Sequence, residues 1–278
     1  MHPFKFFCLL SFIFLFPFFT FAQSSAAPPK DFILVEGGTF MMGREGGEDD
    51  EQPVHKVTLK SFYVNKFEVT QGEWKEIMGD LPCKERGDLY PVSHLSFTDA
   101  LIYCNKRSIK EGRTPCYTIE GKTDIENSGV FDDPVQCDFS ANGYRLLTEA
   151  EWEYAARGGK ASKGFTFSGS NNVDEVAWYK ENSPDEIVHP VGTKAPNELG
   201  IFDMSGNVDE WCWDKYDNEF YQASPEINPS NRDSGTQEVY RGGCYYYGAA
   251  NCAVYKRNFD EGVEYIAIVG LRLAVSKP

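Results

Sequence analysis

The chain has 278 residues with 42 acidic against 27 basic side chains, for a net charge of −15. That balance excludes partners recognised through clustered lysine and arginine, nucleic acids and anionic membrane surfaces among them. The length suits one β-rich domain or two smaller ones, and nothing in the apolar pattern suggests a second core.

Residues 1–22 read as a secretion signal. Lys5 supplies the positive start, Phe6 to Phe19 the apolar run and Thr20-Phe21-Ala22 a small-residue cleavage site. The run is too short, and too soon followed by the polar QSSAAPPK, to anchor the chain in a membrane. Cys8 precedes most of it, the wrong place for lipid attachment. An exported protein is expected, periplasmic, cell-surface or secreted, with no stable membrane span after cleavage. Residues 23–31 form a linker and residues 32–278 one domain. Oxidising compartments favour disulfides, and without Cys8 seven of the eight cysteines remain, so at least one is free or paired with another chain. None forms the close C-x-x-C pair of a zinc ribbon or redox site.

Phe32 to Gly43 reads as a strand, a Gly-Gly turn and a returning strand. Glu45–Glu51 is an acidic loop of the kind that is usually solvated. Val57, Leu59, Ser61 and Tyr63 then alternate with polar residues, the period of a half-buried strand. Thr70-Gln-Gly-Glu73 is a capping box opening a helix through Trp74 and Met78. Ser96 opens a second helix with Phe97, Ala100, Leu101 and Cys104 at helical spacing, and Gly112 stops it. Cys116-Tyr-Thr-Ile and Val135-Gln-Cys137 read as a hairpin, which predicts a Cys116–Cys137 disulfide across its two strands. Thr148-Glu-Ala-Glu151 is another capping box, and Gly158 ends that helix.

The densest stretch is LGIFDMSGNVDEWCWD, Leu199–Asp214. Asp203 and Glu210 flank the turn at Ser205-Gly206, which would bring both carboxylates near the carbonyls of Gly206 and Val208. Such an oxygen set suits a hard cation like Ca²⁺. Spacing alone equally allows a turn whose acids cap a helix or meet solvent, since turns favour these residue types. Later come RGGCYYYGAANC, Arg241–Cys252, then Arg257 and Gly270-Leu-Arg272. His55, His94 and His189 are scattered, with no two at metal-ligand spacing on a helix face. No nucleophile elbow or phosphate-binding glycine loop is present.

These blocks, with PVSHLSFTDALIYCN and GYRLLTEAEWEYAARGG, resemble the formylglycine-generating enzyme and sulfatase-modifying factor family over roughly Phe32 to Ala274. The resemblance implies an α+β, C-type-lectin-like fold with little regular secondary structure. It also implies a structural calcium held by Asp203, Gly206, Val208 and Glu210. One departure is Asp209, where the family carries tryptophan. In the family's copper-dependent oxidases, which convert a sulfatase cysteine to formylglycine, two cysteines hold the metal, since Cu(I) favours soft thiolates. The second of these positions is Cys252 here, but the first is Tyr247, and the serine of the family's G-G-S turn is Cys244. The candidate catalytic residues are therefore Cys252 and, only as a substitute, Cys244. The scattered histidines count against the iron-dependent sulfoxide synthases, which resemble this fold but rely on a histidine cluster.

Tyr245, Tyr246, Tyr247, Tyr255 and Tyr265 offer another use, because tyrosine gives rigid contact area with a polar handle. The expected function is an exported, non-catalytic protein binding an unknown protein or glycan through this aromatic segment. The alternatives are the copper oxidase, or a variable receptor of a diversity-generating retroelement or cell-envelope assembly subunit. The variable proteins of diversity-generating retroelements, which share this fold, vary this very block.

Overall fold

A computed structural model describes residues 27–126, 135–262 and 267–277. The signal expected over residues 1–22 lies outside them, as does Tyr265. Among the described residues no helix is long and apolar enough to cross a membrane.

The strands Phe32–Val35 (β1) and Gly38–Met42 (β2) do not pair with each other, as a hairpin at the Gly-Gly turn would require. β2 pairs antiparallel with His55–Leu59 (β3), and β1 with Phe62–Asn65 (β4). Gly37 marks the crossing from one sheet to the other. Its N–H donates to the Ser61 hydroxyl at 3.0 Å, and a Cβ there would lie 2.4 Å from the Leu59 carbonyl oxygen. At the same corner the strand changes phase. Val57 and Leu59 are buried as expected, but beyond it Phe62 and Val64 face the core in place of Ser61 and Tyr63. The acidic loop is more than a solvated run: Asp49–Glu51 forms a 3-10 turn with Glu51 buried, and the Asp50 carboxylate accepts from the Tyr216 hydroxyl at 2.9 Å.

All three long helices start where the chain's own caps place them. Gln71–Met78 (α1) and Phe97–Lys110 (α2) open with complete capping boxes at Thr70/Glu73 and Ser96/Asp99, which satisfy backbone N–H groups that a helix start leaves free. The small hairpin of Tyr117–Thr118 (β5) and Gln136–Cys137 (β6) follows. The residue facing Cys137 across it is Tyr117, one place along from Cys116, and both cysteines are free thiols. The offset removes the predicted Cys116–Cys137 bridge. Glu149–Ala156 (α3) has its capping box at Thr148/Glu151, with Gly158 left-handed just past its end.

After the short helix Val173–Val176 (α4), Asp209–Tyr216 (β7) is the strand that organises the rest. One short turn of helix, Phe220–Ala223 (α5), leads to Gln237–Arg241 (β8) and Asn258–Asp260 (β9). Val269–Gly270 (β10) and Ala274–Ser276 (β11) end the chain. One sheet runs β10-β7-β8-β9, with β10 parallel to β7, and a second runs β1-β4-β11, joining the first described strand to the last. Successive side chains of a strand point to opposite faces, so β7 feeds two cores. Trp211 and Trp213 pack with Phe97, Leu271 and Leu273 on one side; Cys212 packs with Trp152, Val239 and Val254 on the other. This is the α+β architecture with short strands and few helices that the sequence implies.

Candidate functional site

Three buried arginines bind the C-terminal block to α3 and β7. Arg241 donates to Glu149 at 3.0 Å, to Glu153 at 2.6 Å and to the Val254 carbonyl at 2.9 Å. Arg257 reaches both Glu149 oxygens, at 2.7 and 2.9 Å, and the Asp50 carbonyl at 2.9 Å. Arg272 grips Glu210 through Nε at 2.9 Å and Nη2 at 2.6 Å, and donates to the carbonyls of Asn65 and Phe202.

This arrangement alters the expected calcium cage. Both Glu210 oxygens are already taken, since Trp152 Nε1 donates to Oε2 at 2.8 Å while Arg272 holds the carboxylate from the other side. Asp203 Oδ2 accepts the Gly192 N–H at 2.6 Å. Among the described residues no group of three or more His, Cys, Asp or Glu side chains stands where it could hold a metal. A residue not foreseen, Glu68, is fully buried beside them and accepts from Val208 N–H at 3.0 Å and Asn207 Nδ2 at 2.7 Å. Burial, then the Asp203 and Glu210 charges, push the Glu68 carboxyl well up, and burial pushes Asp203 up to about 6. Asn207 also links this turn to the aromatic loop, because its carbonyl accepts the Tyr245 N–H at 2.9 Å.

The loop itself springs from Gly242-Gly243. Gly243 has φ of 71° and a Cβ there would meet the Asn251 carbonyl oxygen at 2.6 Å, so only glycine lets the two ends of the loop close this tightly. Its N–H donates to Asp209 Oδ1 at 2.8 Å. Burial pushes the Asp209 carboxyl up to about 7, against the Gly243 N–H and the Cys244 thiol, which pull it down. Cys244 and Cys252 are both fully buried, and both thiols are pushed up, first by burial and then by the nearby Asp209 charge. Both thiols thus lie away from solvent beneath the loop.

At the tip the tyrosines divide. Tyr246 and Tyr247 are 45 % and 40 % exposed, edge to face at 5.5 Å, while Tyr245 is half-buried. Tyr255 leaves the proposed face: it packs against the core that contains Trp152, under the Arg44 guanidinium 4.5 Å from its ring centre. Tyr245 instead lines a pocket of about 300 Å³ with Gln71, Cys83, Lys84, Arg86 and His94. Sequence reasoning passed over these partners. The one signal was Pro82-Cys-Lys-Glu-Arg-Gly87, two cations in a short loop of an acidic chain.

Residues 18–277 match the model of the Sulfatase-modifying factor enzyme 1-like domain. The chain is 43 % identical over 233 residues to Chaperone protein LppX of Paenibacillus barcinonensis, covering 77 % of this chain and 78 % of that one. It is 28 % identical over 257 residues to the formylglycine-generating enzyme of Streptomyces coelicolor, covering 81 % of each. Among solved structures, Treponema denticola variable protein 1 superposes with a TM-score of 0.79 at 30 % identity, over 89 % of this chain and 95 % of that one.

The buried Asp209 carboxyl makes a pH prediction. A carboxyl whose pKa is raised on folding adds stability that is complete below the ordinary carboxylate range and is lost as pH rises through the folded value, here about 7. Asp209→Asn keeps an oxygen for the Gly243 N–H and has no charge to bury. Thermal melts should therefore show the wild type falling behind the variant between pH 5 and pH 8 by roughly 5 °C, at about 2–4 °C per kcal/mol. Parallel curves would mean that Asp209 titrates normally.

Proposed function

The chain belongs to the sulfatase-modifying factor family, and from that premise we propose that it is an exported, non-catalytic protein that binds a protein or glycan through Tyr246, Tyr247 and the pocket beside Tyr245. The observation that carries this is the contrast between the loop's base and its tip. Arg241 and Gly243 are buried and tied to α3 and β7, and Cys252 is buried and held by the Ser205 hydroxyl, while Tyr246 and Tyr247 face solvent side by side. Exposed, rigidly mounted tyrosines give contact area at low entropic cost. The position that a copper site would need for its first thiolate is Tyr247, and a phenol is no soft ligand. Two names among the relatives support binding over turnover, a chaperone at 43 % identity and a variable protein at 30 %.

The test keeps Tyr245 and changes the tip. Tyr246→Ala/Tyr247→Ala should melt within a few degrees of wild type, because both side chains are exposed, yet lose most of the capture of envelope proteins or arrayed glycans that wild type shows. Undiminished capture by the double variant would move the binding face elsewhere.

We also infer a structural Ca²⁺ at Asp203, the carbonyls of Gly206 and Val208, and Glu210. Its support is a charge imbalance: Glu68, Asp203 and Glu210 are buried together with Arg272 as their guanidinium, an excess that a hard divalent cation would neutralise. Against it stands the grip of Arg272 on Glu210, which an ion would have to share. Calcium should raise the melting temperature over chelated protein, by mass action on the folded state, and the rise should vanish in Asp203→Asn. Identical melts with calcium and with chelator would assign the excess charge to bound protons.

A further inference from the structure

The pocket beside Tyr245 is lined by two cations that no other described residue pairs with. Among the described residues every arginine except Arg86 spends its guanidinium on a hydrogen bond, an ion pair or an aromatic ring, from Arg44 over Tyr255 to Arg272 on Glu210. The Arg86 guanidinium and the Lys84 ammonium make no hydrogen bond or ion pair with another described residue. Glu85 between them is turned to Lys75, at 2.9 Å, and so does not neutralise them.

The loop that carries them is fixed from below. Gln71, buried at the start of α1, accepts the backbone N–H groups of Arg86 at 2.8 Å and Gly87 at 3.4 Å. Its amide nitrogen donates to the Lys84 carbonyl at 3.4 Å and the Pro91 carbonyl at 3.3 Å. Across the opening stands Tyr245, whose hydroxyl burial pushes up while Arg86 pulls it down; the phenol is thus a proton donor close to the guanidinium. Glu186 is an acid close enough to Tyr245 to push its hydroxyl up.

We propose that this pocket is an anion subsite that takes a carboxylate group of the bound partner, paired to Arg86 and Lys84 with Tyr245 beside it. The proposal rests on the binding reading above and names the chemistry of the group that enters. Guanidinium is the planar fork that matches a carboxylate with two parallel bonds. A volume of about 300 Å³ is at the small end for ligand pockets, the size of one side chain or one sugar unit rather than a whole ligand. The net charge of −15 does not forbid an anion here, because at physiological salt charges beyond about 8 Å are largely screened and the local sign decides.

The experiment is an NMR titration of the mature chain with N-acetylglutamate, its neutral analogue N-acetylglutamine, and glucuronate. N-acetylglutamate or glucuronate should shift the Arg86 side-chain N–H and the Tyr245 amide saturably, the stronger of the two telling a peptide source from a sugar source. N-acetylglutamine should bind at least tenfold more weakly, and Arg86→Gln, an exposed change, should lose at least tenfold for the acid. Equal response to the neutral analogue, no response to either acid, or an unchanged Arg86→Gln would overturn the subsite. Capture lost in Tyr246→Ala/Tyr247→Ala while both acids fail to bind would sink the subsite and keep the binding face; acid binding with capture intact in that variant would do the opposite.

Discussion

A fold with so little ladder leaves many loop carbonyls without a strand or helix partner, and the arginines Arg241, Arg257 and Arg272 supply the missing donors. Each is fully or nearly fully buried, neutralised by a glutamate from α3 or β7, and donates as well to a backbone carbonyl of another segment, Val254, Asp50 or Asn65. Buried backbone acceptors must be satisfied for the chain to stay folded. A buried ion pair is not in itself a large source of stability, since desolvation offsets much of its attraction. Breaking one is another matter, costing about 3–5 kcal/mol through the charge left behind. The lattice thus works mainly as a specification: it fixes where loops lie.

That specification also mounts the aromatic loop on the fold. The segment from Gly242 to Cys252 is held at both ends, by Asp209 against Gly243 and by the Ser205 hydroxyl on the Cys252 carbonyl at 2.7 Å. At its tip the backbone is tied by Tyr247 N–H to the Cys244 carbonyl at 3.3 Å and by Lys180 N–H to the Tyr247 carbonyl at 3.1 Å, while the Tyr246 and Tyr247 side chains are exposed. Those two side chains can therefore be exchanged without disturbing either core, whereas Tyr245 packs against the one that contains Trp211. The two buried thiols, Cys244 and Cys252, lie underneath beside the Asp209 carboxyl.

What was legible in the sequence was local or came with the family. The capping boxes at Thr70, Ser96 and Thr148 are contained within four residues, and all three helices begin there. The overall class followed from several blocks at once. Partners at long range were not legible. β1 and β2 look like a hairpin until Gly37 is seen against Leu59 and Ser61, and the phase change at that corner depends on β4 lying between β1 and β11. Local spacing around Glu210 gives no sign that Arg272, 62 residues later, shares its carboxylate. Cys116 misses Cys137 by one residue of register, and Tyr255 turns to the core. The cations at Lys84 and Arg86 stood out only once every other arginine had a partner.

The central claim is that a family frame best known for oxidation carries here a binding face without catalysis. It is tested most directly by incubating the reduced, Cu(I)-supplemented protein aerobically with a cysteine-containing sulfatase-motif peptide and assaying for aldehyde. With Tyr247 in place of one thiolate, and Cys244 and Cys252 buried against Asp209, no formylglycine should form above the peptide-and-copper blank. Turnover that depends on copper and is lost in Cys252→Ser would contradict the account and make the chain an oxidase.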